Sequence, residues 1–157
     1  MRAGTDHANV RFPPPLVYVA ALVLGILAGR ALSLPGLGVG SNLEKILGVA
    51  VILIGVIVNF TGAGLFLRNR TAIIPFKPAS RLVTTGIYRW TRNPMYLGMA
   101  LLYAGFAMLF DSVLALLLLP AVLVLIQTQV IAREEAYLER AFGDEYCAYK
   151  SRVRRWL

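Results

Sequence analysis

The sequence contains one cysteine and one histidine, and this scarcity excludes several kinds of chemistry. Cys147 has no partner for a disulfide within the chain, and together with His7 it is too small a set to hold a zinc ion. We therefore expect no metal site and no thiol-pair redox reaction.

Acidic residues are also scarce, because 8 Asp and Glu stand against 16 Lys and Arg, which gives a formal charge of +8. Hydrophobic residues make up 58% of the chain, whereas roughly 45–50% is usual in soluble proteins. A basic chain of this hydrophobicity favours contact with anionic lipid over nucleic acid. We expect membrane lipid as a partner and no nucleic acid, and the sequence specifies no oligomeric state.

Four apolar runs predict an all-α integral membrane protein formed by a single membrane domain, residues 1–157. The expected spans are residues 16–34, 43–67, 94–110 and 112–132, which leaves a loop at 68–93 and a tail at 133–157. A span needs about 20 residues, so the third run is short. Asp111 and Ser112 separate the third and fourth runs, which predicts a tight helical hairpin. Gly25 and Gly29 have the spacing that lets helices approach closely.

The positive charges predict the orientation of the spans. Every Lys and Arg except Arg30 and Lys45 falls in the N-terminal arm, the loop or the tail. Four spans place these segments on one side, and cytoplasmic segments carry the excess of Lys and Arg. We expect both termini to be cytoplasmic, in a bacterial or archaeal plasma membrane. A cleaved signal peptide over residues 1–31 is the alternative, but three spans would not give the same charge pattern.

The stretch from Gly86 to Gly98 holds polar residues at the start of the third span. Pro94 suits the first position of a helix, where its missing N–H costs nothing, and Asn93 is then a candidate N-cap. Composition alone favours a point where the chain meets the membrane, with snorkelling arginines and interfacial tyrosines.

Glu134 and Glu135 follow the fourth span, and the hairpin would return them to the side of Arg92 and Tyr96. Carboxylates beside a bilayer are costly unless cations or a ligand match them. Two interpretations follow: a solvated salt-bridge cluster that includes Arg133, or a polar pocket open to both cytosol and lipid.

The tail is predicted to break at Gly143 and to continue as a short basic helix. Tyr146, Tyr149 and Val153 recur there at helical spacing, opposite the cations. This pattern is typical of a helix that lies at a membrane interface.

Together these stretches resemble the isoprenylcysteine carboxyl methyltransferase family, which belongs with the membrane phospholipid methyltransferases. The resemblance covers about residues 74–157 and consists of Gly-x-Tyr-(x)3-Arg-[His/Asn]-Pro-x-Tyr-x-Gly, a helical hairpin, Glu-Glu and a tyrosine-containing tail. The matching residues are Gly86, Tyr88, Arg92, Asn93, Pro94, Tyr96, Gly98, Glu134, Glu135, Phe142, Gly143, Tyr146, Tyr149 and Val153.

The resemblance implies a methyltransferase that uses S-adenosyl-L-methionine and acts on a lipid-like or prenylated acceptor that enters from the bilayer. It implies Arg92, Glu134 and Glu135 as catalytic residues. It implies a cytoplasmic cofactor site formed by Tyr88, Arg92, Asn93, Pro94, Tyr96, Gly98, Glu134, Tyr146 and Tyr149. The residue types suit that cofactor, because tyrosine faces and carboxylates attract a sulfonium and Arg92 can pair with a carboxylate.

The acceptor and the activity leave alternatives open. A carboxylate acceptor needs no base, whereas a phospholipid amine or a thiol must lose a proton, for which Glu134 or Glu135 is the candidate. Many family members have His at the position of Asn93, and Asn cannot shuttle a proton near neutral pH. A non-catalytic membrane scaffold or subunit is a further alternative. A channel is disfavoured, because no ionisable residue lies deep in a span.

Overall fold

The structure is a computed structural model that describes residues 12–38, 41–69 and 80–157, and regular secondary structure in these ranges is entirely helical. The all-α prediction is therefore confirmed. Much of the N-terminal arm and the proline-rich part of the loop with Lys77 lie outside the described residues. The helices are α1 (Pro14–Ala31), α2 (Ser41–Arg68), α3 (Pro94–Leu109), α4 (Val113–Ile126), α5 (Ala132–Phe142) and α6 (Asp144–Arg152).

Among the described residues, three helical stretches are long and apolar enough to cross a membrane. They are Pro14–Ala31, Asn42–Arg68 and the continuous stretch Val113–Phe142 that contains α4 and α5. The last has 30 residues, or about 45 Å at 1.5 Å per residue, which exceeds the roughly 30 Å of a hydrocarbon core. Helix α3 is apolar but has 16 residues, so it is as short as its sequence predicts.

Helices α2 and α3 pack through glycines spaced seven residues apart. A Cβ atom at Gly48 would lie 2.9 Å from the carbonyl oxygen of Gly105, and one at Gly55 would lie 2.9 Å from that of Gly98. These distances are too short for any side chain, so the two backbones are in direct contact. Close approach of this kind is a main source of helix association in a membrane. We call these four residues the glycine seam.

Helix α1 packs closely on α4 at Gly25. A Cβ atom at Gly25 would lie 2.7 Å from the Cα atom of Ala115. Helix α1 also contacts α3, where the Tyr18 hydroxyl donates a hydrogen bond to the Tyr96 carbonyl oxygen over 3.2 Å. The first helix thereby supports the residue that begins the candidate site.

The predicted hairpin between α3 and α4 is confirmed. Asp111 adopts a positive φ of 50° in the turn, and the Ser112 hydroxyl caps α4 by accepting a hydrogen bond from the Ala115 N–H over 3.3 Å. Asp111 Oδ1 also accepts a hydrogen bond from the Leu37 N–H over 2.6 Å. The turn is fixed on the side opposite the charged tail, and the fourth helix therefore returns alongside α3.

A π-helical segment, Gln127–Ile131, joins α4 to α5. Segments of this kind are frequent at functional sites. Beyond α5, Gly143 adopts a positive φ of 52° and α6 begins at Asp144, so the predicted break at Gly143 is confirmed.

The prediction that α6 lies at a membrane interface is wrong for its tyrosine face. Tyr146 and Tyr149 are 1% and 4% exposed, and their ring centroids lie 6.2 Å apart. The Tyr149 hydroxyl donates a hydrogen bond to the Tyr88 carbonyl oxygen over 2.7 Å. The face is buried because the segment before α3 covers it, in place of lipid.

Candidate functional site

Four charged residues from three parts of the chain meet beside the start of α3. Arg92 precedes α3, Glu134 and Glu135 lie in the first turn of α5, and Arg155 lies in the C-terminal segment. We call these four residues the charged cluster. The hairpin brings α5 to α3, and the turn at Gly143 returns the tail to the same place.

Glu135 is the centre of the charged cluster. Arg155 holds it with two hydrogen bonds, 3.0 Å from Nε to Oε1 and 2.6 Å from Nη2 to Oε2. Arg92 Nη2 lies 3.3 Å from Oε1 of the same carboxylate. The hydrogen bond to Glu135 raises the pKa of Arg155. The Glu135 side chain is only 8% exposed, so its charge has lost most of its hydration. The two arginines compensate for that loss.

Arg92 is buried and only partly paired. Its side chain is 9% exposed, and its Nε and Nη1 atoms have no hydrogen-bond partner among the described residues. Buried donors of a charged group are costly to leave unpaired. Two donors of the guanidinium are therefore available to an anionic ligand.

Glu134 has a different partner from its neighbour. Its Oε1 atom accepts a hydrogen bond from the Tyr96 hydroxyl over 2.6 Å, and its side chain is half-buried. Within the charged cluster, Glu134 is thus held by a neutral hydroxyl, whereas both oxygens of Glu135 are held by arginine.

Three tyrosines enclose the other side of the site. Tyr88, Tyr146 and Tyr149 are buried, and the Tyr88 hydroxyl has no hydrogen-bond partner among the described residues. Burial raises the pKa of Tyr149 to about 12, while the charge of Arg92 acts to lower it. Burial also raises the pKa of Tyr88 and of Tyr146 well above the usual range. The three hydroxyls therefore remain neutral near pH 7.

The chain's last residues, 153–157, lie across the start of α3, and we call them the tail strap. The Arg92 N–H donates to the Arg154 carbonyl oxygen over 3.0 Å. The Arg155 carbonyl oxygen accepts from Thr91 Oγ1 over 3.1 Å and from Asn93 Nδ2 over 2.9 Å. Trp156 Nε1 donates to Gln127 Oε1 over 2.8 Å. The strap therefore links the loop before α3 to the π-helical segment.

Most of the residues predicted for the site lie together. They are Tyr88, Arg92, Asn93, Tyr96, Glu134, Glu135, Tyr146 and Tyr149. Pro94 is buried at the first position of α3, as predicted. Asn93 holds the N-cap position, but its side chain makes no capping hydrogen bond because it binds the tail strap. Gly98 faces α2, where a Cβ atom would collide with the Asn59 amide, so the fold does not bring it to the charged cluster.

Sequence reasoning missed Arg155, Thr91 and Trp156. Arg155 counted only as one of the tail cations, because no spacing rule links it to Glu135, 20 residues earlier. Thr91 and Asn93 bind a backbone carbonyl oxygen, which every residue offers. These contacts depend on the return of the tail, and a single sequence carries no signal for it.

An apolar helical bundle with a buried charged cluster at one end is an architecture suited to membrane-embedded enzymes. The sequence model of the phospholipid methyltransferase family matches residues 43–145, which is well over half of the chain. The chain belongs to the phospholipid methyltransferase family. The match covers nearly all of α2 and ends at the start of α6, so α1 and the tail strap lie outside it.

Three similar proteins show which members of the family the chain resembles. A protein-S-isoprenylcysteine O-methyltransferase of Schizosaccharomyces pombe is 42% identical over 72 residues, and one of Saccharomyces cerevisiae is 39% identical over 72 residues. Each match covers 46% of this chain and 30% of the yeast protein, so the chain spans less than a third of their length. An uncharacterized protein of Haemophilus influenzae is 44% identical over 63 residues, 40% of this chain and 100% of that protein. No solved structure matches the chain. The resemblance to the isoprenylcysteine methyltransferases is confirmed.

Proposed function

We propose that this chain is a membrane methyltransferase that uses S-adenosyl-L-methionine to methylate a carboxylate on an isoprenoid-like, lipophilic acceptor. The family and the names of the two yeast relatives support the reaction class. The observation that carries the site is the buried Arg92, whose Nε and Nη1 atoms have no hydrogen-bond partner among the described residues.

The residues of the site fit the proposed cofactor. S-adenosyl-L-methionine has a carboxylate, and Arg92 offers two buried donors that can bind it through charge-assisted hydrogen bonds. Its cationic groups require negative charge or aromatic faces, and the half-buried Glu134 supplies the negative charge. When bound, this cofactor supplies a methyl group activated by a positively charged sulfur.

Alignment is the main contribution that the protein makes to such a displacement. Tyr96 holds Glu134 through a 2.6 Å hydrogen bond, and Tyr18 holds the Tyr96 backbone from α1. A carboxylate acceptor needs no base, so Glu134 can serve in binding alone. For an amine or thiol acceptor, Glu134 is the better candidate base, because arginine occupies both oxygens of Glu135.

The proposal includes a single membrane domain with four spans and with both termini in the cytoplasm. Positive charge in the loop and the tail supports this orientation, since the charged cluster forms where those two segments meet. The hairpin supports α3 as a span, because α3 and α4 reverse direction through a short turn at Asp111.

Labelled methyl transfer tests this function. Purified full-length protein in lipid nanodiscs is incubated with methyl-labelled S-adenosyl-L-methionine and one of three acceptors: a farnesylated cysteine with a free carboxylate, phosphatidylethanolamine or farnesyl thiol. We expect base-labile label on the farnesylated cysteine and none on its preformed methyl ester. Label on phosphatidylethanolamine or on farnesyl thiol instead would show that the acceptor group is an amine or a thiol and not a carboxylate. Absence of both methyl transfer and cofactor binding would contradict the proposal that the chain is an enzyme and would favour a membrane scaffold.

A further inference from the structure

Two arginines of the charged cluster share one carboxylate unequally. Arg155 engages both oxygens of Glu135, at 3.0 Å and 2.6 Å, whereas Arg92 makes one contact at 3.3 Å. A guanidinium matches a carboxylate best through two parallel hydrogen bonds. Arg155 forms this two-bond pair with Glu135, so Arg92 cannot form the same pair with that carboxylate.

The unequal sharing determines which donors remain available. Arg92 and Glu135 are both buried, with side chains 9% and 8% exposed. Without Arg155, Glu135 would have only Arg92 as a charged partner, and a buried carboxylate strongly favours full pairing. The Arg92 guanidinium would then turn toward Glu135 and withdraw Nε or Nη1 from the ligand side.

The tail strap holds Arg155 in the position from which it pairs with Glu135. Thr91 and Asn93, which flank Arg92, both donate to the Arg155 carbonyl oxygen. Arg92 itself donates its N–H to the Arg154 carbonyl oxygen, and Trp156 fixes the end of the strap on Gln127. The backbone that carries Arg155 is thus tied to the backbone that carries Arg92.

We propose that Arg155 is a positioning residue: it occupies Glu135 so that Arg92 keeps two donors for the carboxylate of the methyl donor. This role rests on the proposed function and deepens it. It lies outside the family match, which ends at residue 145. It also gives Asn93 a task that needs no titration, namely to hold the strap.

Two ligands that differ only in the carboxylate test the proposal. Calorimetry measures the affinity of the full chain for S-adenosyl-L-methionine and for its decarboxylated form, and the ratio of the two reports the hold of Arg92 on that group. Arg155→Ala is expected to weaken binding of the carboxylate form about 10–100-fold, the range for a charged hydrogen-bonded group. Binding of the decarboxylated form should change little, so the ratio should fall toward one.

A second substitution separates positioning from simple support of the fold. In the double variant Arg155→Ala with Glu135→Gln, the Glu135 carboxylate no longer competes for Arg92. Affinity for the carboxylate form of the ligand should therefore recover to within several-fold of wild type. Arg154→Ala is the matched control, because it removes a neighbouring cation whose exposed side chain belongs to the same strap. It should leave both affinities unchanged.

Each other result overturns the role of Arg155. Equal loss for both ligands would mean that Arg155 only supports the fold, and unchanged binding in Arg155→Ala would mean that it has no part. If the double variant does not regain affinity for the carboxylate form, Glu135 does not compete with the ligand for Arg92, and the proposal is wrong. If the wild-type protein binds neither ligand, the proposed function itself fails and this role falls with it.

Discussion

The glycine seam and the charged cluster hold the same helix, α3, in opposite ways. At the seam, α3 meets α2 backbone to backbone, because any Cβ atom would lie within about 3 Å of a carbonyl oxygen. At the charged cluster, the start of α3 meets α5 through the ion pair of Arg92 with Glu135. It meets the tail strap through hydrogen bonds that Thr91 and Asn93 donate to the Arg155 carbonyl oxygen. Volume alone selects the residues of the seam, whereas partner geometry selects those of the cluster.

The charged cluster can bind a ligand, whereas the glycine seam cannot. A seam of glycines offers no chemical group to a ligand and serves only to fix the position of α3. The cluster contains more donors than the described residues use, since Arg92 Nε and Nη1 have no partner among them. Substitutions at the seam should therefore affect stability alone, whereas substitutions at the cluster should affect ligand binding as well as stability.

The largest effect is expected from Glu135→Ala. It removes the shared carboxylate and leaves Arg92 as an unpaired, buried cation. We expect a loss of about 3–5 kcal/mol in the free energy of unfolding, the range for a broken buried ion pair. Unfolding in detergent by denaturant titration measures it. Glu135→Gln, which keeps the shape and hydrogen-bonding capacity, should cost less; an equal cost would contradict the electrostatic explanation.

A smaller effect is expected from Arg92→Ala and Glu134→Ala, which act on methyl transfer. Each removes a charged contact that we propose to form with the bound cofactor, so we expect activity to fall by about 100-fold. Rates with labelled cofactor measure the loss, and reporter fusions confirm that membrane insertion is intact. Wild-type turnover by both variants would show that the site lies elsewhere.

At the glycine seam, Gly55→Ala tests backbone contact. The new methyl group would lie 2.9 Å from the Gly98 carbonyl oxygen, so we expect about 1–3 kcal/mol of destabilisation from overpacking. Gly64→Ala is the matched control on the same helix, because nothing lies within 4 Å of a Cβ atom there. Equal stability of the two variants would mean that α2 and α3 are not in direct contact.

The smallest effect is expected from Tyr149→Phe, which removes one buried hydrogen bond to the Tyr88 carbonyl oxygen. The expected cost is about 0.5–1.5 kcal/mol. Because the pKa of Tyr149 is raised from 10.0 to about 12, its stabilisation is full below pH 10 and is lost as the pH rises through 12. The variant should unfold with a weaker alkaline dependence than the wild type, and an unchanged dependence would contradict this role.

The sequence predicts the parts of the fold that depend on local pattern. Hydropathy predicts the long helices, and the pair Asp111–Ser112 predicts the hairpin, because no exposed loop could fit between two apolar runs. The hairpin in turn predicts that Glu134 and Glu135 return to Arg92 and Tyr96, which the structure confirms.

Contacts that depend on the return of the tail could not be predicted. The tyrosine face of α6 has the pattern of an interfacial helix, and only the position of Tyr88 shows that protein covers it. The pairing of Arg155 with Glu135 depends on the strap, whose ties are to backbone carbonyl oxygens. The seven-residue spacing of Gly48 and Gly55 is visible in the sequence, but the register that sets them against Gly105 and Gly98 is not.

Calorimetry of S-adenosyl-L-methionine with the wild-type protein and with Arg92→Ala, both in nanodiscs, tests the central claim most directly. We propose that the charged cluster holds a cofactor through the two donor atoms of Arg92 that have no partner among the described residues. We predict measurable binding to the wild type that weakens by about 10–100-fold in the variant. Equal affinities in the two proteins, or no binding to the wild type, would contradict it.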